Sequence, residues 1–236
     1  MDVRCARFVA ALLICLGGLS GLPQCQSPAP AGSSSSSSPK HIKKPAAPAL
    51  GIDSGVVNNG VYRNKFLGMS CRIPAGWVLR TDEMNARDEG DANAGAAESK
   101  SSPQGHTGET QGGGRVLLAA FSRPPDAKGE DINSSILIAA ESVAAYPGLK
   151  EAAQYFGPLT EVAKAQGFTV DEEPYDAEVG GKVLVRGDFH KDVGPRVMRQ
   201  STLAFLSHGY AVSLTVIGGT EDEVEQLIDG VEFAGK

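Results

Sequence analysis

Three polar residues on one predicted strand are the best candidates for a ligand-binding site. Arg186, Asp188 and His190 occupy alternate positions, and alternate side chains of a strand point to the same face. A guanidinium, a carboxylate and an imidazole on one face could bind an anion, ligate a metal ion or support hydrolysis. A metal ion needs three or four ligands, however, and no others occur at a suggestive spacing. The pattern therefore favours a solvated polar face, and a hydrolase or small-ligand site is the alternative.

No nucleophile with its supporting groups is evident. Ser70 lies in the string GMSCR, which lacks the final glycine of the Gly-x-Ser-x-Gly turn. Cys71 shares a predicted apolar strand face, where a thiol is desolvated and unreactive. His106 and His208 have no partner at a spacing typical of a catalytic pair. We therefore expect no catalytic residue, no bound metal and no cofactor.

Three further patterns resemble ligand or modification sites but are incomplete. The glycine run at 112–114 is followed by a predicted strand and has no Lys-Ser/Thr, so it is not a phosphate-binding loop. Asn133 begins a formal glycosylation sequence inside a predicted strand. Four nearby carboxylates could attract calcium but lack the EF-hand spacing, which favours a charged surface turn. These carboxylates are Glu172, Glu173, Asp176 and Glu178.

Alternating apolar residues predict the strands that would position these side chains. Strands are expected at 67–73, 116–122, 132–141, 168–174, 182–190, 197–206 and 210–217. The first has its apolar side chains on one face, namely Leu67, Met69, Cys71 and Ile73. Turns are expected at 192–195 and at His208-Gly209, where the second would be a tight hairpin.

Two stretches have helical spacing instead. The first runs from Leu149 to Gly167, and Pro158 inside it predicts a kink or two short helices. The second begins at Thr220, with Glu223 three residues later as in a capping box. Its packing stripe is Val224, Leu227, Ile228 and Val231. The order of strands, helix, strands and helix predicts an α+β fold with a largely antiparallel sheet flanked by helices.

The N-terminus has the pattern of an export signal. Arg4 and Arg7 precede an apolar segment, Phe8 to Leu19, that is too short to span a bilayer. The string LPQC, which ends at Cys25, resembles a bacterial lipobox, although its glutamine stands where Gly, Ala or Ser is expected. Cleavage after Ala31 is the alternative. Either route predicts an extracytoplasmic protein, as a cell-envelope lipoprotein or as a secreted or periplasmic one.

The remaining chain divides by composition. After a signal peptide at 1–25, the Ser-, Pro- and Ala-rich stretch 26–59 predicts a disordered linker. The domain then covers 60–236. A second low-complexity stretch, 81–114, predicts a disordered insertion, because Met84 is its only large apolar residue.

Charge and cysteine content exclude two further possibilities. Residues 60–236 hold 17 of the 22 Lys and Arg and 26 of the 28 Asp and Glu, a net charge of −9. Such a segment repels phosphate backbones, so nucleic acid is not an expected partner. Cys5 and Cys15 leave with the signal and Cys25 is lipidated or lost, so Cys71 remains alone and no internal disulfide can form.

Short motifs in the domain resemble the PsbP-like family, which includes the extrinsic photosystem subunit, DcrB-type bacterial proteins and a nuclear Ran-binding relative. The first motif is Tyr62-x-Asn64-x-x-x-Gly68 followed by Ile73-Pro74-x-Gly76-Trp77. The second is the helix ending in Gly167-Phe168, and the third is Gly209-Tyr210 followed by Glu221 to Phe233. The resemblance covers most of 60–236 apart from the insertion.

This resemblance implies an α-β-α sandwich used as a binding or assembly module, with no shared catalytic residues to transfer. Together with the export signal, it predicts a non-catalytic, extracytoplasmic module that is lipid-anchored to the membrane and has an unknown protein partner in the cell envelope. Electrostatic control of docking by the basic linker and acidic insertion is a further alternative.

Overall fold

The computed structural model describes residues 52–86, 114–124 and 131–234, which form an α+β fold with two antiparallel sheets. The predicted fold class is confirmed. The strands of the described residues are β1 (Val56–Asn58), β2 (Val61–Asn64), β3 (Met69–Arg72), β4 (Val78–Leu79), β5 (Arg115–Phe121), β6 (Ser135–Ser142), β7 (Thr169–Val170), β8 (Tyr175–Val179), β9 (Lys182–Val193), β10 (Arg196–Ser207), β11 (Tyr210–Gly218) and β12 (Val231–Phe233).

The large sheet has the strand order β4-β5-β6-β11-β10-β9-β7, and β8 pairs with β9 beside β7. Its centre is two hairpins, in which Gln200 of β10 lies opposite Phe189 of β9 and Ile217 of β11. The predicted turn at His208-Gly209 joins β10 to β11, and both residues have positive φ, as a two-residue hairpin requires. The small sheet has the order β1-β2-β3-β12.

Two helices and a 3-10 turn accompany the sheets in the described part of the chain. They are α1 (Ala152–Ala165), α2 (Glu221–Ile228) and the turn Val143–Ala145, and residues 81–86 are also helical. A kink or two short helices were the predicted alternatives; Pro158 lies inside α1 without dividing it, so the second alternative is wrong. Gly167 ends α1 with a φ of 83°, and Phe168 N–H donates to the Ala163 carbonyl at 3.0 Å, as in a Schellman motif. No helix of the described residues is both long and apolar enough to cross a membrane.

The large sheet is covered on both faces. We call the face towards α2 and the small sheet the inner face; its buried residues include Ile138, Leu203, Leu214 and Val216. We call the other face the outer face; there Phe189, Ala204 and Ile217 pack against α1, and Val116 and Leu137 pack with Met84. The helices α1 and α2 therefore lie on opposite faces, with a second sheet beside α2 that the sequence analysis did not anticipate.

The predicted linker ends too late. Ile52 is buried, and β1 and β2 form a hairpin whose turn, Asn59-Gly60, has positive φ at both residues. Asn-Gly between two apolar strands is the strongest short hairpin signal in a sequence, because both residues tolerate positive φ. Residues 52–59 therefore belong to the domain. Residues 1–51, which include the predicted signal and Cys25, lie outside the described residues.

The predicted insertion begins too early. Residues 81–86 are helical, and Met84 is buried against the outer face. The side chain of Asn85 bonds to both the N–H and the carbonyl of Val116, each at 3.0 Å, and the Thr81 hydroxyl accepts from the N–H of Ala119 at 3.0 Å. These side chains therefore provide hydrogen bonds to the backbone groups of β5 that β4 is too short to pair with. Residues 87–113 lie outside the described residues.

The predicted second helix is correct at its start and wrong at its end. Thr220 is the N-cap, and its hydroxyl accepts from the Glu223 N–H at 3.1 Å. The Glu223 carboxylate accepts from Gly219 at 2.8 Å. Val231, which was expected on the helix, lies in β12 opposite Cys71, because the helix stops at Ile228 and the chain returns to the small sheet.

Candidate functional site

The structure brings two of the three predicted site residues into direct contact. The Nε atom of Arg186 donates to both carboxylate oxygens of Asp188 at 3.0 Å, and its Nη1 and Nη2 atoms donate to Glu225 of α2, Nη1 at 3.1 Å. The Tyr175 hydroxyl donates to Asp188 at 2.8 Å. All three guanidinium nitrogens therefore have carboxylate partners, and the group links the inner face to α2.

Burial and these bonds shift two pKa values. Burial lowers the pKa of Arg186, but its bonds to Glu225 and Asp188 outweigh burial and leave the pKa above the usual range. Burial and the bond to Asp188 raise the pKa of Tyr175 to about 12. Both groups thus keep their protons at neutral pH. The arrangement stabilises charges that are already paired and leaves no guanidinium nitrogen free of a carboxylate for an added anion.

His190 lies on the same strand face but joins a different pair. Its Nδ1 atom contacts the carboxylate of Asp171, the residue after β7, and His190 itself lies between Arg199 of β10 and Thr169 of β7. The His190 side chain is 36% exposed, whereas that of Arg186 is 13% exposed. The predicted trio therefore divides into a half-buried ion-pair network and a separate surface pair.

The other predicted reactive groups have ordinary positions. Cys71 is fully buried in the inner core, and burial raises the pKa of its thiol to about 12, so the thiolate is strongly disfavoured. Ser70 lies in β3, as expected. The His208 imidazole contacts the Ser207 hydroxyl at 2.8 Å and lies 4.6 Å from the Phe66 ring. His106 lies outside the described residues, as do 112 and 113 of the glycine run.

The carboxylates near β8 are exposed, and Asp176 and Glu178 belong to that strand. Within 52–86, 114–124 and 131–234, no three His, Cys, Asp or Glu residues are grouped to hold a metal ion. Asn133 precedes β6 instead of lying in a strand, and its amide bonds to Ser122 and Arg123 at 3.0 to 3.2 Å.

A cleft that the sequence analysis missed lies on the outer face, between α1 and β7. We call it the α1–β7 cleft; its volume is about 720 Å³. One wall is a side of α1, and the other is β7 with the bend that follows it. The lining residues are Ala153, Phe156, Gly157, Thr160, Glu161, Lys164, Phe168, Thr169, Val170, Glu173 and Pro174. None of the predicted site residues Arg186, Asp188 and His190 is among them.

A second, smaller cleft of about 440 Å³ separates β1 from β4. Val56 and Leu79, 67% and 45% exposed, lie on its two sides. The Tyr62 hydroxyl borders it and donates to the Ser54 carbonyl at 3.0 Å. Burial, partly offset by a bond from Asn64, raises the pKa of Tyr62 to about 12.

The sequence contains one signal for the larger cleft. Gly157 and Pro158 are adjacent in the middle of α1, where both residue types weaken a helix. Pro158 by itself predicts a kink or a break in the helix, whereas the pair Gly157-Pro158 also indicates open space at this side of α1. The opposite wall could not be found in this way, because β7 has two residues and its position depends on pairing with β9.

Comparisons with known proteins do not show a family for this chain. No family model matches the chain, and no curated protein matches it. LpqN of Mycobacterium tuberculosis, described as involved in cell envelope biogenesis, aligns with 71% of this chain and 83% of its own, at 12% identity and a TM-score of 0.35. At these values the similarity carries no argument about function.

Two other solved structures are similar at the same low level. A protein of Bacteroides thetaiotaomicron aligns with 72% of this chain but only 46% of its own, at 12% identity and a TM-score of 0.33. PA94 of Pseudomonas aeruginosa, a protein of unknown function, aligns with 59% of this chain and 94% of its own, at 15% identity and a TM-score of 0.32. The resemblance to the PsbP-like family therefore stays a prediction.

Proposed function

We propose that the protein is a non-catalytic binding or assembly module of the cell envelope, attached to the membrane through a lipid on Cys25 and engaged with a protein partner. The observation that supports a non-catalytic role is that the groups best suited to chemistry are already occupied. Arg186 is bonded to two carboxylates, and the Cys71 thiol is fully buried. The α1–β7 cleft offers a surface for binding and has no Ser, Cys or His among its lining residues.

The sequence supports the location. The export pattern ends at Cys25, and 26 residues separate this cysteine from Ile52, where the described domain begins. If this segment is the disordered linker that its composition predicts, it spans about 28 Å. A lipid at Cys25 would therefore hold the domain near the membrane surface while leaving its clefts accessible.

Intact mass spectrometry of the native protein tests the anchor. We expect a chain that starts at Cys25 and carries a diacylglyceryl or triacyl modification in the membrane fraction. A Cys25→Ser variant should instead remain uncleaved or move to another fraction. An unmodified chain that starts at Gly32 would contradict the lipid anchor and leave a secreted or periplasmic protein.

Cross-linking of intact cells tests the binding role. We expect one protein to be recovered with the chain in a fixed ratio and to be lost when the envelope is dissolved before cross-linking. A catalytic role would be supported by hydrolysis of small ester or phosphoester probes that Arg186→Met abolishes. Recovery of no partner together with such hydrolysis would overturn the proposal.

A further inference from the structure

We propose that the α1–β7 cleft is the partner-binding surface and that it takes an extended, basic peptide segment. This inference rests on the proposed function, since it names the surface and the ligand chemistry of the same binding role. The cleft volume of about 720 Å³ lies within the range of clefts that enclose a ligand, which is about 300 to 1,000 Å³. The apolar side chains of the peptide would contact Ala153, which is exposed, and Val170, which is half-buried; the cleft is also lined by the buried rings of Phe156 and Phe168.

Two residues of α1, Gly157 and Pro158, are unfavourable in a helix, and their presence suggests that the helix keeps the cleft beside them open. Proline in a helix interior costs about 3 kcal/mol of intrinsic propensity relative to alanine, and glycine costs about 1 kcal/mol. A residue that precedes proline avoids a clash in the helix when it has no Cβ, so Gly157 accommodates Pro158. Beyond its chain neighbours, a Cβ at Gly157 would meet nothing within 4 Å. Local rules that a sequence breaks without a packing reason are expected at functional sites.

The sheet ends at this cleft. β7 and β8 pair with β9, and no described strand pairs with their other side. The Asp171 N–H donates to the Asp188 carbonyl at 2.9 Å. Because inward and outward groups alternate along an antiparallel edge, the N–H and carbonyl of Val170 point away from β9. An extended peptide can add to such an edge through main-chain hydrogen bonds and place alternate side chains in the cleft.

The charge around the cleft determines the class of peptide. Asp171, Glu172, Glu173, Asp176 and Glu178 are all exposed along the bend and β8. Lys164 is the one cation among the lining residues, and it lies 3.9 Å from Glu161. Asp171 is paired with His190, and Lys191 lies 5.8 Å over the Phe168 ring, so the net acidity comes from the other four carboxylates. These would attract a segment rich in Lys or Arg and repel an acidic one.

Peptide binding to the purified full chain tests the chemistry. The probes are two unstructured decapeptides, one of alternating Lys and Val and one of alternating Glu and Val. We expect calorimetry to show binding of the Lys peptide that weakens with salt, and no binding of the Glu peptide. Failure of the Lys peptide to bind, or equal binding of both peptides, would overturn the inference.

Matched variants locate the binding. Ala153 and Ala165 are both exposed residues of α1, but only Ala153 lines the cleft. We expect Ala153→Trp to weaken the Lys peptide at least about tenfold, or about 1.4 kcal/mol, and Ala165→Trp to leave binding unchanged. Circular dichroism would show that both variants fold. Equal effects of the two substitutions would contradict this location.

Charge reversal provides a second, independent pair. Asp176→Lys with Glu178→Lys should weaken the Lys peptide and remove most of its salt dependence. Asp222→Lys with Asp229→Lys changes the same charge on the exposed side of α2, away from the cleft, and should have little effect. Loss of binding in the α2 pair alone would overturn the proposed surface.

Photo-cross-linking in cells separates this inference from the proposed function. A photoreactive residue at Thr160, in the α1–β7 cleft, should capture a protein, and one at Asp82, in the β1–β4 cleft, should not. Capture at Asp82 alone would contradict the inference and leave the binding role intact. Capture at neither position nor at any other surface position would contradict both. Capture of a second copy at Thr160 would also overturn the inference.

Discussion

The two faces of the large sheet are built from different kinds of residue. The middle of the inner face is apolar except for the buried Ser201 hydroxyl, which has no hydrogen bond from the described residues. Arg186 and Asp188 lie on this face beside α2, where Arg186 is fully bonded. The outer face buries polar groups in its middle, and a Ser135 and a Gln200 oxygen have no hydrogen bond from the described residues. Buried polar groups without partners cost stability. From this difference we expect the inner face to supply most of the stability. Substitutions on the outer face, where α1 and its cleft lie, should cost less stability.

The largest expected difference compares adjacent residues of β11. Leu214 is buried on the inner face, whereas Thr215, on the outer face, contacts the Thr202 hydroxyl at 3.1 Å. We expect Leu214→Ala to lower the free energy of unfolding by about 3 to 4 kcal/mol, because it leaves a cavity. Thr215→Ala should cost about 1 kcal/mol. Urea denaturation measures both, and equal losses would break the comparison.

The ion-pair network should give the next largest effect. Arg186→Met leaves Asp188 largely buried without its cation, and we expect a loss of about 2 to 3 kcal/mol. Arg199 contacts Glu221 at 2.9 Å but is 34% exposed, so Arg199→Met should cost less than about 1 kcal/mol. Thermal unfolding at low and high salt compares the two. A stable Arg186→Met variant would show that the network is not structural and would reopen the ligand-site alternative.

Two glycines near α1 should respond in opposite directions. A Cβ at Gly187 would lie 2.5 Å from the Phe156 ring, so Gly187→Ala should destabilise by about 1 to 2 kcal/mol. The double variant Gly157→Ala with Pro158→Ala restores a helical hydrogen bond and should stabilise by about 1 to 2 kcal/mol. The denaturation midpoint of each variant shows whether its stability falls or rises relative to the wild type. Destabilisation by the double variant would mean that the pair serves packing and not the cleft.

A buried carboxyl group on the outer face, that of Glu141, should make the stability depend on pH. Glu141 is 4% exposed, and burial, only partly offset by the hydrogen bond from the Tyr146 hydroxyl, raises the pKa of its carboxyl above the ordinary 4.5. The folded protein then binds this proton more tightly than the unfolded chain does. Stability from this group is therefore complete below pH 4.5 and is lost as the pH rises through the raised value.

The variant Glu141→Gln removes this titration. We expect its melting temperature to exceed that of the wild type at pH 8 and the difference to shrink towards pH 4. Glu161→Gln, at an exposed position of α1, is the control and should leave the profile unchanged. A wild-type profile that rises with pH in this range would show that the carboxylate is stabilised in the fold.

The large sheet could be predicted from the sequence because its strands are regular. Alternating residues locate β9, β10 and β11, and the positions of Arg186 and Asp188 on one face follow from the same alternation. Asn59-Gly60 is an equally clear hairpin signal, but it follows directly on a stretch rich in Ser and Pro, whose composition predicts a linker. In contrast, β12 and the helical residues 81–86 are short, and their structure depends on tertiary contacts.

The candidate site was less predictable for a physical reason. Arg186 and Asp188 were correctly placed, but the carboxylate that completes their network is Glu225, on a helix 39 residues away. Likewise, the walls of the α1–β7 cleft meet only when β7 adds to β9. Spacing along one element can show which side chains share a face, but it cannot show which of them another element will neutralise.

The bonds between Asn85 and Val116 determine where the chain should tolerate insertions. They join residues 31 positions apart, and residues 87–113 lie between them in the sequence. These described contacts hold the two ends of the segment at the edge of β5, and the entropic cost of closing a loop grows only with the logarithm of its length. We therefore expect that tags, reporters or whole modules inserted within 87–113 leave both sheets unchanged.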